Sequence, residues 1–162
     1  MPQRDYILRL IEQMGAALVA LRNRILGRKV DPEAVHHELS SLAGKAGLDL
    51  EMLRGFSAET LHMLVAPSGE VEPARCWTMA EILYLDGLQA HVEDRREDAR
   101  QSLGKARLLF SFLEPWGGLL VGLPEAAERV TEIDALLSGS EPGQEQSRGG
   151  SDRPSPGEGP DG

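Results

Sequence analysis

"DGLQAHVEDRREDARQSLGKA", residues Asp86 to Ala106, reads as helix on both sides of a charged centre, yet it carries Gly87 and Gly104 inside those helical runs. A glycine in a helix interior costs roughly 1 kcal/mol against alanine, so close packing is the expected compensation. If the stretch were one continuous helix, Glu93 would lie over Glu97, Asp94 over Asp98 and Arg96 over Arg100. Each such like-charge pair is unfavourable by roughly 0.2 to 0.5 kcal/mol. The chain is therefore expected to turn back at Glu93 to Arg95. That gives one helix from Pro73 to about Val92 and a second from about Arg95 to Leu113, stopped before Pro115.

In such a hairpin Gly87 faces a helix that presents Ala99, Leu103 and Ala106 at helical spacing. Small residues opposite one another let two backbones approach, and the added contact offsets the propensity loss. Gly104 falls off that face and is expected to meet a different neighbour, the last helix being the candidate.

Working outward, Ile7, Ile11, Met14, Leu18, Leu21 and Ile25 recur in steps of four and three and share one face of an opening helix, residues 1–30. Asp31-Pro32-Glu33 starts a second helix, with a capping acid, a proline at the first helical position and an acid in the first turn. Val35, Leu39, Leu42 and Ala46 form its apolar face, and Gly47 is its stop. A short helical turn over Leu48 to Phe56 and a brief Ser57-capped helix to about Val65 precede the turn at Pro67-Ser68-Gly69. Pro124 opens a last, capping helix, 124–137, with Ala126, Val130, Ile133 and Leu137 on one side. Residues 138–162 contain no aliphatic or aromatic side chain; with nothing to bury, this tail is expected to be disordered. The expectation is an all-α fold: a small helical array, residues 31–137 forming the main helical domain, with one antiparallel hairpin at 73–113 and flanking helices. Aromatics make up only 4% and strand-like runs are missing.

The formal net charge of −9 argues against nucleic acid as a partner. It is unevenly spread: the first thirty residues carry +4 and the remainder −13. The single cysteine, Cys76, excludes an intramolecular disulfide and points to a reducing cytoplasm. The apolar run Met14 to Leu21 is too short to span a bilayer.

The hairpin from about Ala80 to Leu113 resembles the tetratricopeptide repeat, a helical hairpin of 34 residues. Gly87, Ala99 and Ala106 fall on that family's small-residue positions, Leu83 stands where it usually has Trp, and Leu103 takes its large-residue place. Asp86 and Ala90 depart from its usual Leu and Tyr, and its terminal proline is displaced to Pro115. The resemblance implies a protein-binding scaffold. It also implies an inner face made of Glu81, Tyr84, Leu88 and His91 that would receive a protein or peptide partner, too acidic to clamp a C-terminal carboxylate. The alternative reading packs Tyr84 and Leu88 against a neighbouring helix of the same chain. The opening "RDYILRLIEQMGAAL" resembles a group of small bacterial helical proteins, which implies a bacterial source and adds no chemistry.

Two Glu-x-x-His spacings, Glu33/His36 and Glu59/His62, raise a helical-bundle metal site, since residues three apart share a helix face. Glu33 sits in a first turn and the second pair on a helix of about two turns, so no metal or cofactor is expected. Cys76 lacks a neighbouring base and reads as a buried small hydrophobe, and Trp77 as core. The basic, amphipathic opening helix leaves three readings: docking on its own domain, pairing in a homodimer, or lying on an anionic membrane surface. Taken together, the sequence points to a non-catalytic interaction scaffold, with a membrane adaptor and a metal-dependent helical enzyme as the other readings.

Overall fold

The computed structural model describes residues 2–28, 31–116 and 125–139, and every regular element among them is helical. They are α1 (Pro2–Leu26), α2 (Pro32–Lys45), α3 (Leu50–Gly55), α4 (Ala58–Val65), α5 (Pro73–Val92), α6 (Arg96–Leu113) and α7 (Ala126–Gly139), with a 3-10 turn at Glu114–Trp116. Local chemistry accounts for most of the boundaries. Asp49 and Ser57 cap α3 and α4 by accepting from the backbone N–H of Met52 and Thr60. Asp31 sits at the start of α2 in extended backbone, but its carboxylate makes no capping bond; Pro32 at the first helical position sets that start. Gly47, at φ 73°, ends α2 with Gly47 N–H on Gly44 O and Leu48 N–H on Ala43 O, the paired bonds of a left-handed helix stop.

The turn between α5 and α6 uses the same device without glycine. Asp94 takes φ 60°, Asp94 N–H bonds His91 O at 3.1 Å, and Arg95 N–H bonds Ala90 O at 2.8 Å. A short polar side chain tolerates that left-handed conformation better than most, so the charged centre of the opening stretch is where the chain reverses. The two helices run antiparallel: Cys76 Sγ donates to Leu109 O, whereas ten residues later Asp86 meets Ser102 and Gly87 meets Leu103. A Cβ added at Gly87 would lie 2.6 Å from Leu103 Cγ and 2.9 Å from Leu103 N. Gly87 is therefore a point of close approach, with no room for a side chain, and Ala99, Leu103 and Ala106 line the buried side of α6. Gly104 behaves differently from expectation. It is exposed, and nothing among the described residues lies within 4 Å of where its Cβ would be, so it contacts no last helix.

Around this hairpin the other helices close on α5, which is buried at every residue from Cys76 to Ala90. A helix wrapped on all sides is ordinarily apolar all round; α5 instead encloses Thr78, Glu81, Asp86 and Gln89. The opening helix docks on its own chain: Met14, Leu18, Leu21 and Ile25 are buried in the common core, chiefly beside α5. Ile7 and Ile11 belong to α1, but their side chains lie outside the described residues. α7 extends to Gly139, two residues past the expected end, and buries only Arg129 and Ile133, with Val130, Leu136 and Leu137 half-buried against the core. The expected start at Pro124 and the tail beyond Gly139 lie outside the described residues. Among the described residues no helix is long and apolar enough to cross a membrane.

Candidate functional site

The face of α5 expected to receive a peptide is internal. Glu81 and Tyr84 are fully buried and Leu88 nearly so, while His91, in the last turn, is half-buried. What covers them comes from both ends of the chain. Arg129 of α7 grips Glu81 with two hydrogen bonds, Nε to Oε2 at 3.1 Å and Nη2 to Oε1 at 2.7 Å, the paired geometry that suits guanidinium and carboxylate. Its guanidinium carbon lies 4.7 Å from the centre of the Tyr84 ring, within cation–π range. Arg22 of α1 donates from Nε to the Tyr84 hydroxyl at 3.0 Å and from Nη2 to Glu132 of α7, and Arg129 Nη1 reaches the other Glu132 oxygen at 3.0 Å. One polar network thus ties α1, α5 and α7 together. The expectation that Glu81, Tyr84 and Leu88 form an open partner-binding face is corrected by this burial: a peptide could reach them only by displacing the chain's own helices.

The charges of that network follow its surroundings. Burial pushes the Glu81 carboxyl above the usual carboxylate range, with Arg129 pulling the other way. Tyr84 is pushed up to about 12, again chiefly by burial. For Glu132, burial opposes the charged form, but hydrogen bonds from Tyr84 and Arg22 outweigh it and hold the group below its ordinary value. Cys76 is pushed up to about 12 by burial alone, which leaves a thiol and no thiolate at neutral pH. Trp77 is core as expected, although its indole N–H has no acceptor among the described residues.

A second buried acid of α5, Asp86, holds α3 in place. Arg54 donates from Nε to Asp86 Oδ2 at 3.1 Å and from Nη2 to Oδ1 at 2.5 Å, and Ser102 of α6 donates to Oδ2 at 2.7 Å. Lys105 caps the end of α3 on the carbonyl of Arg54. Arg54 also bridges outward to Glu51 at 2.6 Å and lies 3.4 Å from His36 Nδ1.

Where the Asp86 cluster meets solvent, an open groove of about 760 Å³ runs between α2 and the C-terminal part of α5. Val35 and Leu39 provide apolar floor, His36, His37 and Ser40 one wall, Asp86 and Gln89 the other. Arg54, Pro32 and Glu33, with Glu93 and Arg95 of the reversing turn, complete its lining. Its two arginines are already engaged: Arg54 by Asp86 and Glu51, Arg95 by Glu93 and Asp98 at 2.5 and 2.9 Å. Glu33 has no ion-pair partner among the described residues, so the groove carries excess negative charge.

The Glu33/His36 and Glu59/His62 pairs stay apart. His36 faces Arg54 and Glu51, whereas His62 is exposed with its ring 4.9 Å from that of Phe112. Among the described residues no group of three or more His, Cys, Asp or Glu converges on a point. Sequence reasoning missed Arg54, Arg129, Glu132 and Gln89. The available signal was the pair of acids embedded in "MAEILYLDGLQA", Met79 to Ala90, since a carboxylate in a buried helix demands a basic partner. No family model, curated protein or solved structure matches the chain.

Proposed function

We propose that the protein is a non-catalytic interaction scaffold of the cytoplasm, tetratricopeptide-like in its central hairpin, which holds a peptide segment of a protein partner in the groove between α2 and α5. The observation that carries this reading is the groove itself: 760 Å³, walled by three helices and a turn, with polar groups above an apolar floor. That size and mixture suit a ligand of several residues. The repeat-like reading is supported by the antiparallel α5–α6 pair and the approach of Gly87 to Leu103. The binding surface differs from the one the resemblance implies, because α1 and α7 occupy the inner face. Burial of Met14, Leu18, Leu21 and Ile25 favours a self-docked α1 over a membrane-bound or dimeric one, since those side chains are already spent in the core.

The test is site-directed photo-crosslinking in cells, with a photoreactive residue at Ser40 in the groove and, as control, at exposed Gln101 on α6. A discrete adduct from Ser40 alone is expected. The crosslinked segment, resynthesised, should bind the purified protein saturably, and Ser40→Trp, which fills the groove, should abolish that binding. Equal binding to Ser40→Trp, or the same adducts from both positions, would refute the reading.

A further inference from the structure

Gln89 is buried to all but 8% of its surface and lines the groove, yet its side-chain carboxamide has no hydrogen-bond partner among the described residues. Its backbone carbonyl accepts from Glu93 N–H at the end of α5. Polar atoms sealed inside a protein are ordinarily satisfied there; the Gln89 carboxamide is not sealed but retains contact with the solvent of the groove, where a ligand can reach it. A carboxamide donates through one atom and accepts through the other, so it can meet one main-chain acceptor and one main-chain donor at once. On a partner in extended conformation, the N–H and C=O of one residue point the same way and can meet it together.

Charge selects what that partner carries. Of the ionised groups lining the groove, Arg54 and Arg95 are held by carboxylates, whereas Glu33 has no ion-pair partner among the described residues. An acidic segment would meet no free cation there, whereas a lysine or arginine would find a carboxylate.

Resting on the groove reading above, we propose that Gln89 is a main-chain clamp: its carboxamide pairs with the N–H and C=O of one residue in an extended partner segment whose basic side chain is taken by Glu33. The groove thereby reads backbone through Gln89 and charge through Glu33, and it is specific for basic, extended stretches.

The probe is acetyl-Ala-Lys-Ala-Lys-Ala-amide, compared with the same peptide carrying Glu for Lys and with a version N-methylated at alternate residues, each titrated into the full-length protein. Binding is read from the side-chain amide resonance of Gln89 and from the dissociation constant. The lysine peptide should shift that resonance, and the glutamate peptide should bind at least tenfold more weakly. Gln89→Leu should weaken the lysine peptide by about tenfold, the effect of losing two neutral hydrogen bonds. N-methylation should weaken wild-type binding by a similar factor and leave Gln89→Leu unaffected, which tests the pairing without relying on the variant's fold alone. Equal affinity of wild type and Gln89→Leu, or preference for the glutamate peptide, overturns the clamp. If the segment crosslinked at Ser40 binds both proteins equally, the clamp fails while groove docking survives; if no peptide of either charge perturbs groove resonances and Ser40 gives no adduct, both fall.

Discussion

Replacing Gly87 with alanine and Gly104 with alanine makes the same chemical change twice within one hairpin, and the structure requires opposite outcomes. At both sites the substitution gains roughly 1 kcal/mol of helix propensity. At Gly104 nothing opposes that gain, because no described atom lies within 4 Å of the new methyl. At Gly87 the methyl would sit 2.6 Å from Leu103 Cγ, 2.8 Å from Cδ2 and 2.9 Å from the backbone nitrogen. The leucine side chain can rotate away, but the nitrogen moves only if α6 moves. Overpacking of that kind costs about 3 kcal/mol at the upper end of the usual range, which leaves a net loss of about 2 kcal/mol after the propensity gain. With a urea slope of about 2 kcal/mol per molar, the Gly87→Ala midpoint should fall by about 1 M and that of Gly104→Ala rise by about 0.5 M. Equilibrium urea unfolding followed by far-UV circular dichroism reads both. A Gly87→Ala protein as stable as wild type would refute the close approach of α5 and α6, and with it the hairpin register.

Arg129→Met should destabilise by about 3–5 kcal/mol, because it strands the fully buried Glu81 carboxylate; adding Glu81→Leu should restore most of that loss, and thermal denaturation of the single and double variants distinguishes a needed charge from a needed shape. Acid should loosen α7. Glu132 and Asp134 are held below their ordinary values of 4.5 and 3.8, so their stabilisation is complete above those values and is lost as pH falls through the lower native ones. Glu81, held above 4.5, has the opposite sign: between its ordinary and native values the folded protein binds the extra proton, so lowering the pH through that window adds stability. Stability measured against pH should therefore change slope in the acid range, and Glu81→Gln should remove the stabilising branch while leaving the loss at lowest pH.

Much of the architecture was legible because it is encoded between near neighbours in the chain. The like-charge register around Asp94 called for a reversal, the Gly87 and Ala99/Leu103/Ala106 spacing called for close packing, and Ser57 and Gly47 marked helix ends that the structure places where they stand. The mismatch at Gly104 shows the limit of that method: periodicity tells which side of a helix a residue occupies, but an off-face glycine can meet a neighbour or open solvent, and the sequence is the same in both cases.

The site was less legible for the same reason. Residues Glu81, Tyr84 and Leu88 do share a face of α5, as their spacing requires, but whether that face is open depends on where α1 and α7 come to rest. By itself the sequence determined the helices, several of their ends, the hairpin and the presence of two acids in an apolar helix. The tertiary structure alone decided that Arg129 meets Glu81 across 48 residues and Arg54 meets Asp86 across 32, which closes the inner face of the hairpin and leaves Gln89 beside an open groove. Helical periodicity is fixed by contacts three and four residues apart, whereas the choice among many arginines for a buried carboxylate is made only when distant helices pack and exclude water.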